Sequence, residues 1–370
     1  MFTKKNMLYI SFFFAFIGIL AVIDTLYFGR EESFNLTRQI PWGMHIAGYV
    51  FFVAISTGLC LIASIGHVFH LKEFEQMSKH LILLSIITLF AAFFVIGIEL
   101  EYPTRLIIYA IISPNLQSPM WWMGTLYSLY TVLLVAEFYF LQQKKFKLAG
   151  ILGLIGVAAD IIAHANLGAL FSVARPFWSG AFLPPYFIVL AIQSGAAVMV
   201  IFLTLIQTHN KLQLTSSIRA GRRLLAIAIG VMFLFQASRM MSSAIMSAPD
   251  VYNGAMTMLA GPLKWHFWIG EVFLGMLLPL GLLSKSSDEN NLAVYASCSA
   301  IFGMFFMRFN HVIAGQMVPV RDYYKLELVD NFLQYTPSFS EIATIVGGLG
   351  FTFIAYYYAE KYFKMEREIS

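Results

Sequence analysis

The sequence predicts an all-α integral membrane protein with ten transmembrane helices, and three observations carry that expectation. Of 370 residues, 59% are hydrophobic and only 12% are charged. Soluble domains carry about a quarter charged residues, so this chain has roughly half the charge needed to coat a globule. Mean hydropathy is +0.73, more apolar mass than one core of this length buries. These values exclude a soluble enzyme, a nucleic-acid binder and a disordered chain. The third observation is that long apolar runs recur along the whole chain.

A helix needs about 20 mostly apolar residues to cross the hydrocarbon. On that basis spans are expected near 7–28, 43–69, 79–100, 120–142, 148–172, 184–207, 222–246, 265–284, 292–315 and 338–360. The first run follows Lys4 and Lys5 but continues past Ile23 with no small-x-small cleavage site. It therefore reads as a span and not as a signal peptide. Thr104–Ser113 is apolar but too short to cross, and Pro103 and Pro114 bracket it. An interfacial or re-entrant helix is expected there.

Counting Lys and Arg in alternate loops places 15 on one side and 7 on the other, with Arg239 and Arg308 inside spans. The positive-inside rule then puts both termini in the cytoplasm. Internal similarity adds a second regularity. Tyr49–Gly58 aligns with Tyr186–Gly195, Pro119–Trp122 with Pro262–Trp265, and His164-Ala-Asn166 with Arg308-Phe-Asn310. The offsets of 137, 143 and 144 keep register. Two four-helix units, spans 2–5 and 6–9, are expected as parallel repeats because four is even, with spans 1 and 10 flanking them. The chain then divides into residues 1–40, 41–172, 173–315 and 316–370, all within a single membrane domain.

Ionisable groups inside a span cost a few kcal/mol each and usually face a bundle interior or a water-filled path. At about 1.5 Å per residue, Asp24, His45, Glu99, His164, Arg239, Glu271, Arg308 and His311 fall in the outer half, and Asp160 near the midplane. Asp24 and Glu137 read as interhelical glue or helix-end charges. Asp160 and His164, at i and i+4, share one helix face with Gly153 and Gly156. His45 shares a face with Tyr49, Phe52 and Ser56, and Tyr127 and Tyr130 lie one turn apart. An outer pocket of the first unit should therefore collect His45, Glu99, Tyr130 and His164 above Asp160, and its groups suit proton exchange. The second-unit positions, Arg239 and Arg308 with Glu271 nearby, are cationic by comparison. All six tryptophans, Trp42, Trp121, Trp122, Trp178, Trp265 and Trp268, fall near the outer surface. A membrane belt would populate both interfaces, which points to a contact with another protein or a ligand mouth on that side. Cys60 and Cys298 lie in apolar runs without Cys-x-x-Cys pairing, so neither a metal site nor an iron–sulfur cluster is expected.

Several segments resemble the NrfD-like membrane subunits of polysulfide reductase and related respiratory complexes. They are Pro41-Trp42-Gly43, Ser118-Pro-Met-Trp-Trp122, His164 to Gly168, Ala174-Arg-Pro-Phe-Trp178, Leu183-Pro-Pro185, Phe267-Trp-Ile-Gly270 and Leu278-Pro-Leu280. The stretch from Arg308 to Gln316 and Pro337-Ser-Phe-Ser-Glu341 are similar to the ten-span branch, which includes DsrP-like subunits and hydrogenase integral membrane subunits. The chain departs from the family where Asp-Leu-Gly-Arg-Pro is common, carrying Glu99-Leu-Glu-Tyr-Pro103 with Arg105 beyond it.

The resemblance implies a haem-free quinone-interacting subunit of a respiratory oxidoreductase in a prokaryotic inner membrane. It would exchange electrons between menaquinone or ubiquinone and the iron–sulfur clusters of a ferredoxin-like partner on the outer, periplasmic face. Further catalytic or cytochrome subunits would complete the complex, and no metal would be held by this chain. Within that frame His45 and Tyr130, with Trp42, are expected to bind the headgroup. Glu99, His164 and Asp160 would exchange its protons, and Arg175 would hold the mouth or dock the partner. Arg239, Glu271 and Arg308 would form a second-unit proton path. Two rival classes stand beside this one. One is a di-haem cytochrome b using His45 and His164 or His266 and His311; the other is a secondary transporter.

Overall fold

The computed structural model describes residues 4–69, 71–75, 77–178, 180, 182–210, 214–245, 248–288, 291–319, 332–363 and 365. Lys211, Arg321, Lys325, Lys364 and Arg367, which entered the loop-charge count, lie outside the described residues, as do positions 320–331 of the long loop before the last span. Among the described residues every regular element is helical.

Among the described residues ten helices are long and apolar enough to cross a membrane: α1 (Lys4–Phe28), α2 (Met44–Phe69), α3 (Ser78–Glu99), α4 (Pro119–Gln142), α5 (Phe146–Ala174), α6 (Leu183–Asn210), α7 (Thr215–Ile245), α8 (His266–Ser284), α9 (Leu292–Ala314) and α10 (Phe339–Tyr362). The protein is a multi-pass membrane protein. Helix α7 starts several residues earlier than its apolar run, because Ser216, Ser217 and Arg219 continue the helix past the hydrophobic stretch. The proline-bracketed segment forms a short, mostly exposed helix, Pro103–Ile112, with Pro103 in its first turn. A second short helix, Pro249–Leu259, lies between α7 and α8.

Helix α2 packs between α3 and α6, α4 pairs with α5, α8 with α9, and α1 with α10. Glycine pairs set three of these crossings. Gly58 of α2 meets Gly195 of α6, Gly275 meets Gly303, and Gly18 meets Gly347; a Cβ at any of the six would run into backbone across the crossing. Without a hydrophobic driving force between helices in lipid, such close backbone approach is what makes the pair. Gly58 and Gly195 are also the residues that the internal alignment pairs.

Helix α8 departs from the expected α-geometry, since His266–Leu277 is wound as a π-helix. Its wider turns place Gly270 against Phe306 and Gly275 against Gly303, and they bury Glu271 completely. Wide turns of this kind concentrate where a side chain must be re-aimed.

The two ends of the bundle differ. At one end lie all six tryptophans; there Glu341, in a capping box with Ser338, also reaches α2. Its carboxylate accepts from the Met44 and Asn35 backbone N–H groups at 3.3 and 3.2 Å. The Tyr335 hydroxyl donates to the same carboxylate and accepts from Met44 N–H at 2.7 Å. Burial first, and the Glu341 charge next, push the Tyr335 phenol well above its ordinary range, so it remains a donor. The Met44 N–H at the start of α2 is thus capped by Glu341 of α10 and by Tyr335 just before it. Asp24 accepts from Ser340 at 2.6 Å, tying α1 to the same corner. At the opposite end an exposed clasp joins Arg219 and Arg222 to Asp288. Hydrogen bonding from Arg219 holds the Asp288 carboxyl below its usual range.

Candidate functional site

A cavity of about 550 Å³ lies at the tryptophan end, between the loop before α2 and helices α2, α3, α4 and α5. Its walls are apolar and aromatic: Trp42, Tyr49, Phe93, Tyr127 and Phe171 face it, and Arg30, Glu99 and Glu101 supply charge at one end. Met120 and Ser128 of α4 line it and are exposed, so the cavity opens sideways, toward where lipid would be. A larger, more polar hollow of about 1030 Å³ adjoins it and shares Arg30, Pro41, Gly97 and Glu101. Arg30 stands on the divide.

Glu99 is the last residue of α3, and two basic side chains hold it. The His45 Nδ1 lies 3.1 Å from its Oε2, and the Arg30 guanidinium 3.5 Å from its Oε1. His45 is fully buried behind this carboxylate, edge-on to Phe34 at 4.5 Å, and its Nε2 has no protein partner. His45 therefore touches the cavity's carboxylate and not the cavity itself. Sequence reasoning did not single out Arg30. It precedes α2 in a loop that carries a single helical turn, Arg30–Ser33, and nothing in the local pattern distinguishes it from a surface charge.

A second polar chain starts at Tyr127. The Tyr127 hydroxyl lies 3.1 Å from His164 Nδ1, which also lies 3.3 Å from Thr57 Oγ1. Thr57 donates to Asp160 Oδ1 at 2.8 Å. The i, i+4 pair of α5 thus converges on one hydroxyl of α2, and the chain runs from the cavity wall to a carboxyl with one unpartnered oxygen. All four groups are buried. Tyr130, one turn further along, turns away: its hydroxyl meets Ser56 at 3.3 Å and Ser85 at 3.0 Å. Positions three apart are separated by about 60° around the axis and about 4.5 Å along it, and here the first of the two faces the cavity.

Trp42 is clamped on both sides. The Gln316 side chain donates to its carbonyl at 2.8 Å and accepts from its N–H at 3.1 Å, while its ring stacks on Trp178 at 5.5 Å and 11°. Arg175 donates to the Gln39 carbonyl at 3.1 Å, tying the end of α5 to the loop before α2; it does not line the cavity.

The ionisable groups of α7, α8 and α9 gather separately. Arg239 lies 3.2 Å from His311 Nδ1 and 4.5 Å over the Phe177 ring. Arg308 donates to Ser194 Oγ at 2.6 Å and to the Met304 carbonyl at 2.9 Å. Glu271 accepts from Asn310 at 2.9 Å. The Trp178 indole donates to the His311 carbonyl at 2.6 Å, so one tryptophan pair joins the cavity to this cluster. Glu137 is buried near the opposite end, its carboxylate against Gly153, where a Cβ would collide with it. Cys60 and Cys298 are free thiols.

These features define a multi-pass membrane protein with a laterally open aromatic cavity backed by buried titratable chains. A sequence model described as "Polysulphide reductase, NrfD" matches residues 32–320, and the chain belongs to the NrfD family. It is 26% identical to a selenate reductase subunit of Mesobacillus selenatarsenatis, over 95% of this chain and 92% of that protein. It is 24% identical to the Hdr-like menaquinol oxidoreductase integral membrane subunit of Archaeoglobus fulgidus, over 95% and 93%. A putative dimethyl sulfoxide reductase membrane subunit of Halobacterium salinarum shares 24% over 81% and 74%.

Proposed function

We propose that this chain is the quinone-reactive membrane subunit of a respiratory oxidoreductase complex, and that the first-unit cavity receives the quinone ring. The single observation that carries this is the lateral opening of an aromatic-walled cavity onto two buried proton-exchanging chains. Membership of the NrfD family and the oxidoreductase subunits among its relatives, one of them named for menaquinol, support the same reading.

The residues fit the group. A fused or single quinone ring needs flat apolar walls and a polar partner for each carbonyl oxygen, and ligand sites of this kind are mostly apolar with few convergent polar groups. Tyr49, Trp42, Phe93 and Phe171 provide walls, while Tyr127 and the Arg30–Glu99 pair provide polar ends. A quinone bound there would supply chemistry that moves two electrons with two protons. Glu99 is the first of two proton-handling groups; His45 and Arg30 hold its carboxylate in place, and His45 can share its proton. Tyr127 is the second, donating from its hydroxyl while His164, and behind it Thr57 and Asp160, replace that proton. Positioned acids and bases of this sort are effective when within hydrogen-bond reach of the reacting oxygen. Electrons would pass to or from an iron–sulfur partner docked on the tryptophan end, read as the periplasmic face, with both termini cytoplasmic in a prokaryotic inner membrane. The second-unit cluster of Arg239, Glu271 and Arg308 enters as a proton-holding site. Its support is a set of buried atoms without protein partners, among them Glu271 Oε1, Arg239 Nη2 and Asn310 Oδ1.

The test is quinone-linked turnover of the purified complex carrying His45→Phe or Asp160→Asn. Both should assemble and turn over quinone about tenfold more slowly or worse, while reduction of the partner's clusters by its own donor persists. Wild-type turnover in both variants contradicts the assignment.

A further inference from the structure

Two further cavities, separate from the one proposed for the quinone, lie toward the end of the bundle that lacks tryptophans; the inner one meets α2 at Phe51 and Phe52, next to Tyr49 and Val50 of the first. The inner one, about 200 Å³, lies between α2, α3, α6, α9 and α10 and is lined by Phe52, Thr88, Val198, Leu349 and Phe353 among others. The other, about 90 Å³, lies between α1, α6 and α10, and its mouth carries Lys4 and Glu360. Both are lined by Phe202, Leu205, Phe353 and Tyr356. They adjoin along α6 and α10 as a slot in two parts, with the Phe202 and Tyr356 rings, 4.8 Å apart, standing between them, so a chain that fills both must pass these rings. Tyr356 is fixed there by His80 Nδ1 at 2.7 Å.

The slot has the dimensions and polarity of one lipid chain. Glu360 and Leu349 are eleven residues apart on α10, about 16 Å along the helix axis. One leaflet of the hydrocarbon is about 15 Å deep. Apart from the mouth, its lining is apolar with a few hydroxyls, so it offers a straight alkyl chain contact without desolvating a charge. The mouth offers a charge: Lys4 Nζ lies 3.9 Å from Glu360 Oε2, yet the lysine side chain is 35% exposed and the glutamate only 7%. Of the two paired groups the lysine is the more exposed, so an anionic group at the mouth would approach the lysine side.

We propose that this slot is a binding site for a glycerophospholipid, with one acyl chain lying between α6 and α10 and its phosphate on Lys4. The lipid stands where α10, whose main neighbours are α1 and α3, borders the second unit. It would tie the terminal helix pair to α6. The proposal is independent of what the quinone cavity binds.

The experiment is native mass spectrometry of the detergent-purified protein after delipidation, titrated with dipalmitoyl phosphatidylglycerol. One retained phospholipid per chain is expected. Dipalmitoylglycerol, with the same chains and no phosphate, should bind about tenfold more weakly, as should the phospholipid to Lys4→Glu; tenfold is about 1.4 kcal/mol. Leu349→Trp and, separately, Val198→Trp should abolish retention by filling the inner part of the slot. Leu234→Trp, on the exposed face of α7, should retain it. Elution volume and melting temperature identify any variant that fails to fold, and the Lys4→Glu arm leaves the slot unfilled. Undiminished retention in both slot-filling variants, equal binding of dipalmitoylglycerol, or displacement of the phospholipid by menaquinone overturns the proposal.

Discussion

The titratable groups around α2 to α5 and those around α6 to α9 are both buried but are surrounded differently. In the first, Glu99 and Tyr127 face a cavity and have chains of donors behind them, His45 for one and His164, Thr57 and Asp160 for the other. In the second, the charges face protein. Arg308 is spent on a hydroxyl and backbone carbonyls, Arg239 on two aromatic faces and His311, and Glu271 on Asn310. A charge in a span costs a few kcal/mol wherever it is. That cost alone says nothing about chemistry; whether the group borders open space does. Trp42 and Trp178, stacked at 5.5 Å, are the seam between the two regions.

The contrast between the regions is most exposed at their carboxylates. Glu99→Gln should lower quinone turnover roughly 100-fold or more, the scale of a lost general acid–base. Glu271→Gln, in the packed region, should leave detergent-assayed turnover within about threefold. Equal losses would erase the distinction. Next in size is a stability effect in the opposite region. Arg308→Leu removes charge-assisted bonds to Ser194 and Met304, and should lower resistance to thermal unfolding by about 2 kcal/mol or more, read as earlier melting of the purified complex, with quinone affinity unchanged. The smallest expected effect separates two neighbours within the first region. Tyr127→Phe should reduce turnover about tenfold, whereas Tyr130→Phe, which loses only its contacts with Ser56 and Ser85, should stay within about twofold.

The helices were legible because crossing lipid demands about 20 apolar residues per span, and the ten expected runs coincide with the ten long helices. The shared face of Asp160 and His164 was legible too, since both reach Thr57. Rotation of a helix about its axis was not. Tyr127 and Tyr130 have the same composition around them, and only packing against α2 and α3 decides which faces the cavity. Nor was the partner of Glu99: Arg30 is brought to it by the path of a loop, and loop paths leave no periodic trace. The π-winding of α8 was hidden as well, because the apolar run His266–Leu277 has the composition of an ordinary span and its close contact with Gly303 lies on another helix.

If quinone chemistry belongs to the open region and not to the packed one, the quinone itself should mark the difference. Photolabelling of the intact complex with an azido-quinone, followed by peptide mapping, reads this out, with excess unlabelled quinone as competitor. Competed label is expected on cavity-facing segments, foremost Met120–Ser128 of α4 and the stretch around Trp42 and Tyr49. Competed label instead on Tyr186–Ser194 and Met304–His311, with the cavity segments unmarked, would contradict the assignment.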